Sequence, residues 1–166
     1  MYRTIQDFVK SWTEESASTL KLFKNLKDDS LNHLAYEGGR TIGDIAWHIV
    51  VTAGEMPKSA GLEAVTPTEH EDTPVQVQTY LDTYLKASKN VIDEVGTKWN
   101  DAMLDEEIEL YGEKWKRGYL LDALIKHQAH HRGQLMILMR QANLNVIGVY
   151  GPSKEEWASY GMPAQK

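Results

Sequence analysis

Four stretches of this 166-residue chain repeat apolar residues at helical spacing, and little of it alternates as a half-buried strand does. The first runs from about Thr4 to Lys27 on Ile5, Phe8, Val9, Trp12, Leu20, Phe23 and Leu26. The second follows Thr41-Ile42-Gly43-Asp44, where a threonine cap with an acid three residues on is a capping-box variant. Its apolar face is Ile42, Ile45, Ile49, Ala53 and Met56, weakened at Pro57 and Gly61. The third carries Val77, Tyr80, Leu81, Tyr84, Val91, Val95 and Trp99, and Thr73-Pro74 reads as its cap and first position. The fourth spans Gly118 to Asn143. Four amphipathic helices bury their stripes against one another most simply as an all-α four-helix bundle.

The connections are less regular. A short helical turn is expected at Leu31 to Ala35, and a loop from Leu62 to Thr73. Between Asn100 and Lys116, Ile108 and Leu110 alternate with acids before Gly112, which predicts an extended or hairpin-like connection. Gly148, Gly151 and Pro152 mark a short irregular C-terminal tail, with a last short helix expected from Ser153-Lys154-Glu155-Glu156. No internal repeat or low-complexity tract divides the chain, so residues 1–166 read as one domain.

The fourth helix contains Lys126-His127-Gln128-Ala129-His130-His131-Arg132-Gly133-Gln134. At about 100° per residue, Leu120, Leu124, Leu135, Leu138 and Ala142 form a stripe with His131 near its middle and His127 beside it. Imidazoles where leucines are expected need partners, because burying an unpartnered polar ring costs a few kcal/mol. Metal ligation supplies them, although a hydrogen-bonded core histidine would as well. His130 falls about 100° off the stripe and belongs to solvent. His48 flanks the apolar face of the second helix and is the natural third ligand, since bundle cores collect ligands from facing helices. An all-imidazole set suits Zn, Ni, Cu or Fe rather than Mg or Ca. His33 and His70 lie in polar connections and read as surface residues.

The pair is not the zinc-protease motif, because the position after His127 is Gln128 where that motif has its glutamate base. No other carboxylate is placed by spacing to act as base. Gln134 falls about 20° from His127 and can line the pocket or hold a ligand, whereas Arg132 points away as a packing residue. Glu55 and Tyr84 are further pocket candidates without an assigned role, and Tyr150 and Trp157 of the tail are placed to cap the site or a partner subunit. The dispersed tryptophans read as packing residues.

Several classes are excluded. The absence of cysteine removes disulfides, thiolate metal sites and a cysteine nucleophile, and fits a cytoplasmic location. A net charge of −6 with scattered basic residues argues against nucleic acid, and Lys114, Lys116 and Arg117 read as a solvated helix start. No stretch approaches a signal-peptide core or a membrane span. Gly38-Gly39 alone is too little to cradle phosphate, and no nucleophile elbow is present.

The strings Arg40-Thr41-Ile42-Gly43-Asp44-Ile45-Ala46-Trp47-His48-Ile49 and His127-Gln128-Ala129-His130-His131-Arg132-Gly133-Gln134-Leu135, with Gly148-Val149-Tyr150-Gly151-Pro152, resemble the DinB/YfiT-like family. The likeness runs the length of the chain. It implies an up-down-down-up four-helix bundle, often a homodimer, with His48, His127 and His131 holding Zn or Ni with open coordination positions. Some relatives transfer low-molecular-weight thiols to small-molecule electrophiles, as bacillithiol S-transferases and mycothiol-dependent isomerases do. Others are described as metal-dependent hydrolases. The resemblance therefore implies a metal-dependent thiol transferase in detoxification, with a hydrolase or a non-catalytic metal-binding stress protein as alternatives.

Overall fold

The computed structural model describes residues 1–67 and 72–164. Four helices build the bundle: α1 (Ile5–Phe23), α2 (Ile42–Ser59), α3 (Val77–Lys98) and α4 (Arg117–Gln141). A hairpin of β1 (Glu107–Leu110) and β2 (Glu113–Lys116) joins α3 to α4. Their stripes meet in a core that fully buries Phe8, Trp12, Phe23, Tyr80, Tyr84, Leu120, Leu124 and Leu135. Burial of each such side chain contributes about 1.5–3 kcal/mol.

Cross-helix contacts give the chain direction. Trp12 on α1 donates to the Ser88 carbonyl on α3, and Phe23 meets Tyr80, so α1 and α3 are antiparallel. Tyr2 reaches the Gly118 carbonyl while Arg132 reaches Glu15, so α1 and α4 run the same way. Gly43 lies against Tyr80, and Val65, which crosses Gly54, bonds Asn90, so α2 and α3 are parallel. The order is up-down-down-up, with α2 and α4 antiparallel neighbours. The described histidines that face one another come from that pair.

The capping box at Thr41 forms as expected: its hydroxyl accepts from the Asp44 amide at 3.0 Å, and the Asp44 carboxylate accepts from the Thr41 amide at 2.8 Å. The expected hairpin forms too, turning at Tyr111 and Gly112 with φ of 53° and 78°, the left-handed pair of a tight hairpin turn.

Four expectations are corrected. The helical turn sits at Asp28–Ser30 rather than Leu31 to Ala35, and the chain then folds back so that Leu34 bridges Thr41. Helix α3 begins at Val77 instead of after Thr73-Pro74. The Thr73 hydroxyl is spent on Asp44, and Asp28, distant in sequence, takes the Val77 amide at 2.7 Å. Ser153-Lys154-Glu155-Glu156 is a turn, because the Glu156 carboxylate folds back onto the Gly148 and Ser153 amides, and the short helix is Trp157–Tyr160. Tyr84 is buried core rather than pocket wall. His33 is half-buried, whereas His70 lies outside the described residues. Among the described residues no helix is long and apolar enough to cross a membrane.

Candidate metal centre

His48, His127 and His131 meet between α2 and α4, each offering a ring nitrogen within 4.8 Å of the others. The i, i+4 spacing on α4 stacks His127 and His131 one turn apart, with their Nε2 atoms 3.2 Å from each other. The His48 ring centre lies 4.4 Å from that of His131 and 5.2 Å from that of His127. His130 is exposed, as its angle on the helix requires.

The residue between the pair fixes the spacing of the two helices. Gln128 is fully buried, and its amide donates to the Ile49 carbonyl at 3.0 Å and the Thr52 hydroxyl at 3.3 Å. Its own oxygen accepts from the Tyr84 hydroxyl, whose pKa burial pushes up to about 12, so it stays a donor. Thr52 in turn donates to the His48 carbonyl at 2.7 Å. Gln128 therefore ties α4 to the turn of α2 that carries His48. From sequence Gln128 registered only as the missing glutamate. Its position in the apolar stripe, beside two histidines, was the signal that could have found it.

His131 Nδ1 lies 2.8 Å from the Gln134 oxygen, as the spacing on α4 predicted for that side chain. That contact holds the ring with Nδ1 as donor and turns Nε2 inward. His127 Nδ1 is buried with no hydrogen-bond partner among the described residues.

All three rings are poised to be neutral. Burial, followed by the charges of the other two rings, holds His48 down to about 4. Burial, then His131 and His130, holds His127 down to about 4, against a small opposing pull from Glu55. Burial lowers His131 as well, with the Gln134 contact opposing it. Neutral imidazoles keep the lone pairs that a cation needs.

The donor set fits a divalent ion of the zinc type. Zn–N bonds of about 2.0–2.1 Å on a tetrahedral ion put neighbouring nitrogens about 3.4 Å apart. The His127–His131 nitrogen separation of 3.2 Å is close to that. No fourth histidine or carboxylate joins this group among the described residues.

Two clefts flank the cluster. A cavity of about 360 Å³ is lined by His48, His127, Glu55, Met56, Tyr111 and Trp115. Its carboxylate, Glu55, accepts from the Tyr111 hydroxyl at 2.8 Å and from Ser59 at 2.9 Å. A second cavity of about 520 Å³ opens on the other side and is lined by His131, Gln134, Arg40, Tyr36 and Ile137 among others. Arg132, as its angle foretold, points away and is buried against Glu15, Thr19 and Tyr150. Tyr150 therefore binds this ion pair instead of capping the histidines.

The profile of the DinB family matches residues 1–166. The chain belongs to the DinB family. YrdA, an uncharacterized protein of Bacillus subtilis strain 168, is 42% identical over 166 residues, 100% of this chain and 99% of YrdA. A DinB-like protein from Bacillus cereus ATCC 10987 has a crystal structure that matches at a TM-score of 0.87 and 37% identity, covering 90% of this chain and 100% of that one. YfiT of Bacillus subtilis, described as a probable metal-dependent hydrolase with an unusual four-helix bundle topology, matches at a TM-score of 0.65 and 16% identity over 84% of this chain and 87% of YfiT. At that identity the likeness to YfiT concerns the DinB fold alone.

Proposed function

We propose that this DinB-family protein is a metal-dependent enzyme in which His48, His127 and His131 hold a divalent ion, Zn or Ni, and the two clefts admit the reactants. The observation that carries this reading is the convergence of three neutral, half-buried or buried rings from two helices, with no fourth histidine or carboxylate in the group among the described residues. Three protein ligands and an open position are the pattern of catalytic rather than structural zinc. A divalent ion held by these three residues would supply Lewis acidity, lowering the pKa of a small thiol or a water towards neutrality.

The chain's own residues do the rest. Gln134 orients His131, and Gln128 fixes the distance between α2 and α4. Glu55 lines the same cavity as His48 and His127, where its carboxylate would serve as a proton acceptor. We take transfer of a low-molecular-weight thiol to an electrophile as the reaction, in the cytoplasm, on the family resemblance and on the absence of a competing cysteine in the chain. Hydrolysis is the second reading. Glu55 favours it, because water activation needs a base and this carboxylate lines the cavity of His48 and His127, and YfiT is described as a probable metal-dependent hydrolase.

The test is metal content by elemental mass spectrometry on untagged protein. The wild type should carry close to one equivalent of Zn or Ni, and His127→Ala almost none. Wild-type protein never exposed to chelator that carries no metal, and takes up none on titration, would overturn the reading. Loaded protein should then consume an electrophile faster with added thiol; thiol-independent hydrolysis that Glu55→Gln abolishes would establish the second reading.

A further inference from the structure

Five arginines occur in the chain, and three are committed to carboxylates: Arg117 to Glu106, Arg132 to Glu15 and Arg140 to Glu155. Arg3 and Arg40 form no ion pair among the described residues. Arg3 lies exposed near the N-terminus, but Arg40 lines the cavity that contains His131. The Asp44 carboxylate feels the Arg40 charge but is bonded by the Thr41 amide at 2.8 Å and the Thr73 hydroxyl at 3.1 Å, and the two form no ion pair. Arg40 thus brings a guanidinium without an ion-pair partner among the described residues to a cleft that His131 of the cluster also lines. Its charge reaches both His48 and His131, where it contributes to their lowered basicity.

The loop that presents it is built rather than loose. The Ala35 amide donates to the Arg40 carbonyl at 3.0 Å, and Leu34 bridges Thr41. Gly38 takes a φ of 76° at the bend. A Cβ on Gly39 would meet a ring carbon of Tyr36 at 2.8 Å, so only glycine lets that ring lie over the turn. Tyr36 and Ile137, exposed at 73% and 62%, flank the same opening and leave apolar surface uncovered there. Gln134, itself exposed, lines the same opening and joins His131 to His130.

We propose that this cleft binds the oxyanionic end of a small-molecule substrate, with Arg40 as its clamp and Tyr36 and Ile137 along its apolar stem. A guanidinium takes a carboxylate or a phosphate group in the same bidentate geometry. A cavity of about 520 Å³ suits a ligand of metabolite size. That the other end of the ligand reaches the histidines rests on the reading of the cluster as the reaction centre. The clamp itself does not.

The experiment is a nuclear magnetic resonance titration of metal-free protein with succinate and, separately, with inorganic phosphate, following Arg40 side-chain, Gln134 and Ile137 signals. At least one anion should shift all three in a saturable way. Arg40→Gln should weaken that binding at least tenfold, Arg40→Lys less, and Arg3→Gln not at all. The anion that binds more tightly tells which oxyanion the cleft takes. If neither anion shifts those signals, or Arg40→Gln titrates like wild type, the clamp is refuted. Because the protein is metal-free, this outcome is independent of whether the histidines hold an ion, which the metal content reports separately.

Discussion

Helix α4 carries two neighbouring polar residues into the interior, and they meet opposite fates. Arg132, 1% exposed, finds the Glu15 carboxylate and carbonyl, the Thr19 hydroxyl and the Tyr150 hydroxyl. Its charge is neutralised and nearly all its donors are used. His131, one residue earlier, faces a space shared with two other rings, and its one partner outside them is Gln134. Buried polarity matched by the protein itself holds the fold. Buried polarity that converges on itself, kept uncharged, leaves its lone pairs facing one another instead of a partner from the fold.

The difference can be broken from either side. His131→Ala should abolish stoichiometric metal binding, yet leave the urea midpoint of metal-free protein close to wild type, since no buried charge is stranded. A large loss of metal-free stability would mean that the rings are structural. Arg132→Met should do the reverse. It strands Glu15, 14% exposed, without its cation, and should cost about 3–5 kcal/mol in urea denaturation while the folded fraction still binds metal.

Acidification sharpens the contrast. His48 and His127 titrate near 4 in the folded chain against 6.5 ordinarily, so the unfolded chain binds more protons between those values. Metal-free protein should therefore lose stability as pH falls from 6.5 towards 4, by an amount on the order of 2 kcal/mol after solvent screening. A paired His127→Ala and His48→Ala variant should show a flatter profile over that range. Gln134→Ala frees the His131 ring and should weaken metal affinity about 10–100-fold, read by chelator competition. Tyr150→Phe removes one hydroxyl from the Arg132 cluster and should cost about 1 kcal/mol, with metal affinity unchanged.

The bundle was legible because apolar periodicity is a property of each segment on its own. The capping box of Thr41 and Asp44 was legible for the same reason, both partners lying within four residues. The start of α3 was not, because its cap comes from Asp28 across the fold and diverts Thr73 to another task. The histidines showed themselves through their place in a leucine stripe. Glu55 could be named but not given a role, since only the hairpin, folded over α2, joins it to the same cavity through Tyr111. Tyr84, named as a pocket candidate, is core because its hydroxyl finds its partner, Gln128, on a facing helix, which its own segment does not reveal.

The hairpin between β1 and β2 carries a wider consequence. It contributes Tyr111 and Trp115 to one wall of the cleft, while every histidine of the cluster sits on a helix. Its strands pair with each other, Leu110 is buried in the core, and Tyr111 at the turn donates to Glu55 of α2. Substitutions at Tyr111 or Trp115 change that wall without replacing a residue of the cluster, provided Leu110 stays apolar to fill its place in the core. The architecture thus sets the three rings on helices and part of the cleft wall on a ten-residue connection, so the shape of that cleft can vary while the spacing of the rings is kept.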